Sequence, residues 1–243
     1  RVRGMTGPKG GNAVDGGGFD PGDDDPRIGT DEAGKGPVLG PMVAAAVQAR
    51  PASIPDGVDD SKRLSAAKRE SIAAALRDRE DVAVGVATVP TDRIDDPETD
   101  MNSLTVAAHA EAVAAVATEG DRVVADAGDV DAARFARRVG DGVAENAAAV
   151  VVHAEHGADA TYPLVAAASV VAKVERDARI DALDSEYPDH GPIGSGYPSD
   201  PETRAFLRRY VGDTGELPEC ARASWSTADD VLAAAEQSSL SEF

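Results

Sequence analysis

The sequence is poor in lysine, cysteine and aromatic rings. Only five lysines, Lys9, Lys35, Lys62, Lys68 and Lys173, stand among 243 residues. Acidic residues number 44 against 24 basic ones, a formal net charge of −20. In dilute buffer such a surface repels nucleic acid. The same composition suits a protein hydrated in very strong salt, as in a halophile. There the Debye length is only about 3 Å, so distant charge hardly matters and local contacts decide. Acidity therefore does not exclude a polyanionic substrate. The single cysteine, Cys220, rules out an internal disulfide and a cysteine-built zinc site, and reads as a small buried residue. No apolar run approaches the ~20 residues of a membrane span, and the start lacks a signal peptide's apolar core. A cytoplasmic protein without membrane contact is expected.

What is present is a succession of periodic apolar segments, which separates the chain from a disordered acidic polymer. Residues 1–26 are the exception: rich in Gly, Asp and Pro and without period, they read as a disordered leader. Strands are expected at Arg27–Thr30, Pro41–Gln48, Val82–Val89, Arg122–Ala125 and Ala148–Ala154. Helices are expected from Ser65 as cap to about Leu76, then at Asn102–Thr118, Asp131–Val139, Pro163–Leu183, Pro201–Val211 and Ala228–Gln237. Asn102 reads as an N-cap. This order implies an α/β fold, a mixed sheet flanked by helices with a helical C-terminal part.

The stretch IGTDEAGKGP, Ile28 to Pro37, is one letter from the phosphate-cradling loop of nucleotide-binding proteins. That reading fails on its own requirements. Asp31 and Glu32 would repel phosphate, and Gly36 stands where a Ser or Thr must hold Mg²⁺. Two carboxylates ending an apolar strand suit a hard cation instead. The pattern recurs, because RVVA ends at Asp126. In open α/β sheets such strand ends are where sites collect. Asp177 lies on the long helix, three residues after Val174 and seven after Val170, near its buried face, where an acid needs a partner. With 44 acids in the chain, most are solvated surface groups. Asp129, Asp131 and Asp159 are assigned to that class. Asp126 alone is a weak signal, since an Asp after a strand is often a cap.

Seven blocks come in order: TDEAGKGPVLGPMVAAAV, DDSKRLSAAKRE, MNSLTVAAH, VVADAGDVD, ATYPLVAAASVVAKVERD, GSGYPSDPET and ARASW. Together they resemble ribonuclease HII, the type 2 ribonuclease H, and most closely its archaeal branch, over about residues 27–227. The resemblance implies a ribonuclease-H-like catalytic domain over 27–190 and a helical, substrate-contacting region and tail over 191–243. It implies cleavage of the RNA strand of RNA–DNA hybrids and incision at ribonucleotides embedded in duplex DNA, leaving 5′-phosphate and 3′-hydroxyl ends. The family's four metal-binding acids fall on Asp31, Glu32, Asp126 and Asp177, with Mg²⁺ or Mn²⁺ as cofactor. Its Gly-Arg-Gly loop, which reads 2′-hydroxyls, appears as Gly34-Lys35-Gly36, without the guanidinium fork. Its junction-sensing tyrosine falls on Tyr197. Ribonuclease HIII, the near neighbour, carries an added N-terminal domain for which residues 1–26 are too short, and usually a Glu at the position of Asp177.

Further substrate contacts are expected from Lys62 and Arg63 before a helix, and from Ser169 and Lys173 on the long helix. Each has a plainer reading: a solvated helix start, a packing serine, an ion pair with Asp177. Tyr197 reads equally as a loop anchor, and Trp225 as core packing. His153 and His156 are too few nitrogen ligands for a zinc site. The expected chemistry is two-metal hydrolysis with no side-chain nucleophile. A non-catalytic nucleic-acid-binding module would need a basic or aromatic surface. A monomer is expected, and the tail EQSSLSEF lacks the aromatic pair of a clamp-binding peptide, so no clamp interaction is evident.

Overall fold

The computed structural model describes residues 19–20, 25, 27–58 and 64–240. Lys62 and Arg63 lie outside the described residues. Five strands form one sheet: β1 (Arg27–Ala33), β2 (Met42–Ala49), β3 (Ala83–Val89), β4 (Arg122–Asp126) and β5 (Val151–Glu155). Their order is β3-β2-β1-β4-β5. β1 pairs antiparallel with β2 and parallel with β4, while β2–β3 are antiparallel and β4–β5 parallel. The central strand β1 is thus the one that carries Asp31 and Glu32.

The side-chain period of two places β2 in two cores at once. Met42, Ala44 and Ala46 face one side, with Phe135 and Val139; Ala45, Val47 and Ala49 face the other, with Leu164 and Val170. Helices α1 (Ala66–Arg77), α2 (Thr91–Ile94), α3 (Met101–Ala114), α4 (Ala132–Asn146) and α5 (Pro163–Glu186) surround the sheet. α3 and α4 pack on the first face, α5 and α1 on the second. Helix α5 lies against β1 so closely that a Cβ at Gly29 would sit 2.2 Å from the carbonyl carbon of Leu164. Only glycine permits that approach. Two C-terminal helices, α6 (Pro201–Thr214) and α7 (Ser226–Leu240), share a third core with Val38, Leu39 and Ile180.

The expected mixed sheet with flanking helices and a helical C-terminal part is what is found. Several details differ. Asp100, not Asn102, caps α3, its carboxylate accepting from the amides of Asn102 and Ser103. That helix stops at Ala114, short of the expected Thr118, while α4 continues past the expected Val139 to Asn146. Phe19, inside the expected leader, stacks on His153 with ring centroids 5.2 Å apart. Asp129 is buried, because Arg134 one turn into α4 grips its carboxylate at 2.7 and 3.1 Å. Asp159 is buried as well, whereas Asp131 is an exposed cap of α4. No helix among the described residues is long and apolar enough to cross a membrane.

Candidate active site

The C-terminal end of β1 delivers two carboxylates to opposite faces of the strand. Asp31 is buried, and its Oδ1 accepts from the amide of Glu32 at 2.8 Å. Burial, aided by the charges of Glu32 and Asp126, pushes its carboxyl up to about 7, although Ser169 and Lys173 oppose the shift. Glu32 is also pushed up by burial. His109, through its hydrogen bond and charge, and Lys35 outweigh that push and hold it below the usual carboxylate value.

His109 is completely buried on α3, between two residues of β1. Its Nε2 lies 2.9 Å from Glu32 Oε2 and its Nδ1 lies 3.1 Å from Thr30 Oγ1. The Thr30 hydroxyl donates to the Ala45 carbonyl at 2.8 Å. The ring thus bridges the Thr30 hydroxyl and the Glu32 carboxylate. Sequence reasoning missed this residue. The available signal was one polar side chain in the apolar run VAAHA.

Residues 169, 173, 176 and 177 share one face of α5, being four, seven and eight apart. Ser169 is fully buried, where it lowers the Asp31 pKa, and its hydroxyl accepts from Lys173 Nζ. Ser169 is therefore placed under the acids and not where a phosphate would touch it. The plainer reading of Lys173, an ion pair with Asp177, is absent among the described residues. Asp177 instead meets Arg69 of α1 at 3.0 Å and its neighbour Arg176 at 3.6 Å. Asp126 Oδ1 accepts from the amides of Gly157 at 2.7 Å and Ala158 at 3.1 Å, so it also anchors the turn after β5.

A cleft of about 400 Å³ gathers Glu32, Gly34, Lys35, Gly36, Arg69, Lys173, Arg176, Asp177 and Tyr197. Asp31 and Asp126 are not among its lining residues. Tyr197 is 40% exposed, and its ring covers the Arg176 guanidinium at 5.1 Å. The Lys35 ammonium reaches across to the Gly128 carbonyl. Arg222, buried in the C-terminal segment, donates to the carbonyls of Gly34 at 2.6 Å, Lys35 at 3.0 Å and Gly40 at 3.0 Å. The indole Nε1 of Trp225 donates to Gly36 O at 3.2 Å. Trp225 thus does more than fill a core.

Among the described residues no three acidic, imidazole or thiol side chains converge as they stand on a metal position. Glu32, Asp126 and Asp177 are each engaged elsewhere, by His109, by the Gly157–Ala158 amides and by Arg69. The donor chemistry nevertheless fits a hard cation. Asp31 is a buried carboxyl raised by its burial and by the neighbouring Glu32 and Asp126 charges, a crowding of acids that a cation would relieve, and all four acids offer oxygen. His153 stacks on Phe19, and its Nε2 lies 3.2 Å from Glu155 Oε2.

The model of the family Ribonuclease HII matches residues 28–228. Ribonuclease HII of Halobacterium salinarum is 61% identical over 217 residues, covering 89% of this chain and 99% of that protein. Ribonuclease HII of Haloarcula marismortui is 58% identical, covering 89% of this chain and all of that protein. The crystal structure of ribonuclease H2 from Pyrococcus horikoshii aligns with TM-score 0.76 at 35% identity, over 87% of this chain and 99% of that one. Ribonuclease HII from Archaeoglobus fulgidus, solved in complex with PCNA, aligns with TM-score 0.72 at 36% identity, over 84% and 96% of the two chains. A central strand ending in paired carboxylates, a ribonuclease-H-like sheet and this likeness along nearly the whole folded chain lead to one conclusion: the chain belongs to the archaeal branch of the ribonuclease HII family and is a divalent-metal-dependent ribonuclease H acting on RNA–DNA hybrids.

Proposed function

We propose that this enzyme also incises duplex DNA at single embedded ribonucleotides, and that on both substrates it leaves 5′-phosphate and 3′-hydroxyl ends. The observation that carries the reading is the pair of carboxylates Asp31 and Glu32 at the end of the central strand, the second of them lining a cleft with Gly34, Gly36, Asp177 and Tyr197. Asp31, Glu32, Asp126 and Asp177 would hold two Mg²⁺ or Mn²⁺ ions. Bound there, such ions supply Lewis-acid charge at the scissile phosphate and lower the pKa of an attacking water. The chain's own residues do the rest. His109 orients Glu32 from below, as a carboxylate's outer partner does in metal sites. Lys35, Lys173, Arg69 and Arg176 line the cleft and offset phosphate charge, a short supply of cations concentrated where it counts. Glycines at 34 and 36 allow backbone to approach the 2′-hydroxyl, the group that tells RNA from DNA. Tyr197, on the rim, stacks on the sugar that follows the ribonucleotide.

The catalytic part, residues 27–190, and the substrate-contacting part, 191–243, act as one body in this reading, supported by the core that Val38, Leu39 and Ile180 share with Phe206 and Leu207. The test is a duplex with one ribonucleotide, incubated in strong salt with Mg²⁺ and with chelator. A single cut with a 3′-hydroxyl end, dependent on the metal, is expected. An intact duplex under conditions that cleave a long hybrid would restrict the enzyme to hybrids.

A further inference from the structure

Three consecutive carbonyls of the Gly34–Gly36 loop are taken up by one pair of side chains. Arg222 binds those of Gly34 and Lys35, and Trp225 binds that of Gly36. In a trans peptide the C=O of one residue and the N–H of the next point in opposite directions. Drawing the Gly34 and Lys35 oxygens toward Arg222 therefore turns the N–H groups of Lys35 and Gly36 the other way, toward the cleft their residues line. No hydrogen bond among the described residues engages either N–H. The third peptide offers no donor there, because its nitrogen belongs to Pro37.

The guanidinium itself is costly where it sits. Arg222 is completely buried, and burial first, then the charge of Arg176, lowers its pKa to about 10. Among the described residues no carboxylate pairs with it; Asp95, whose charge acts on it, is occupied by the amides of Ala223 and Ser224 at 2.7 and 3.0 Å. Its partners are the three carbonyls and the Trp225 ring, 4.9 Å away. A buried charge without an ion partner is poor value for stability. A planar fork with several fixed donors is what sets several carbonyls at once. The segment is itself held on two sides: Arg222 N donates to Val38 O at 2.8 Å, and Gly40 N to Cys220 O at 2.8 Å.

We propose that Arg222, with Trp225, is a positioning residue for ribonucleotide recognition: it fixes the Gly34–Gly36 backbone so that the Lys35 and Gly36 amides face the cleft as a two-donor site for the substrate's 2′-hydroxyl oxygen. This rests on reading that loop as the 2′-hydroxyl contact. Neither Arg222 nor Trp225 touches substrate. Selectivity for a ribose is thereby tied to the C-terminal segment, more than 180 residues from the loop in sequence.

The experiment measures equilibrium binding in strong KCl with chelator present, so that nothing is cut. Two duplexes of one sequence are compared, one all-DNA and one with a single ribonucleotide. Wild type should prefer the second. Arg222→Lys, which keeps the charge and loses the fork, should lower that preference about tenfold, and Trp225→Phe, which keeps the ring and loses one donor, about threefold, the scale of individual hydrogen bonds. Affinity for the all-DNA duplex should stay within about twofold, since phosphate contacts carry it. An unchanged preference in both variants would overturn the proposal, as would an equal fall in both affinities, the mark of a general folding role. If Arg222→Lys does not fold, Trp225→Phe decides. A wild type without preference would bring down the loop's reading itself, before any variant is considered.

Discussion

His109 Nε2 stands 2.9 Å from Glu32 Oε2, wholly inside the protein, and joins helix α3 to the carboxylate at the end of the central strand. Substituting it by Ala leaves the half-buried Glu32 without the His109 hydrogen bond and charge that most hold its pKa down. Outer partners of metal-binding carboxylates and histidines typically matter by about 10–100-fold. The Mg²⁺ concentration for half-maximal cleavage should rise by about tenfold or more in His109→Ala. An unchanged metal titration would reduce His109 to packing.

Asp126→Asn should cut at least ~100-fold more slowly than wild type, as expected when charge stabilisation at a metal is lost. The fold should survive, because Asn keeps the oxygen that accepts from Gly157 and Ala158. Near-normal turnover at saturating Mg²⁺ would remove Asp126 from the chemistry.

Asp31 makes a pH-dependent prediction in the metal-free protein. Its folded pKa is raised from 3.8 to about 7, so between those values the native state binds more protons than the unfolded state. Stability contributed by the protonated carboxyl is present at acid pH and lost as pH rises through about 7. Asp31→Asn escapes that loss. With chelator present, its Tm should match wild type near pH 4 and exceed it at pH 8, on the order of 10 °C for a loss of a few kcal/mol. A constant difference across that range would show that Asp31 is not short of positive charge.

Tyr197 lies on the rim with its ring over Arg176. Removing the ring should hurt a single embedded ribonucleotide more than a long hybrid, which offers further 2′-hydroxyl contacts. A stacked base or sugar is worth about 1–3 kcal/mol, or roughly 5- to 150-fold. Tyr197→Ala assayed on the two substrates side by side tests this, and equal losses would make the ring a loop anchor.

The net charge of −20 sets the salt response. Activity should rise with KCl over a range in which a basic nuclease loses affinity steeply through counterion release. A kcat/KM that falls steadily from low salt upward, in a protein that stays folded, would contradict an adaptation of the substrate complex to strong salt.

The sequence displayed the strands and the acids that end them, because an apolar run closed by Asp or Glu is a local pattern. It did not display what holds those acids. His109 and Glu32 are 77 residues apart, Arg69 and Asp177 are 108 apart, and Arg222 reaches back 188 to Gly34. Such pairings are set by how α3, α1 and the C-terminal segment pack. Burial also reversed plain compositional reasoning: Asp129 looked like one more surface acid until Arg134 folded over it. At α3 two good capping residues competed, and the backbone turn placed Asp100 in the role expected of Asn102. Phosphate contact by Ser169 was plausible on a helix face; the close seat of α5 on the sheet buries Ser169, while Lys173, Arg176 and Asp177 farther along that face reach the cleft.

The absent side chain at Gly29 has a kinetic consequence. With α5 pressed on its backbone and strands on both sides, β1 should be among the last parts of the molecule to exchange its amide protons, chiefly through global opening. The periphery can fray as salt is withdrawn while Asp31 and Glu32 keep their register. Deuterium uptake along β1 therefore tracks the survival of the catalytic centre itself, and dilution from brine would extinguish the enzyme in one cooperative event.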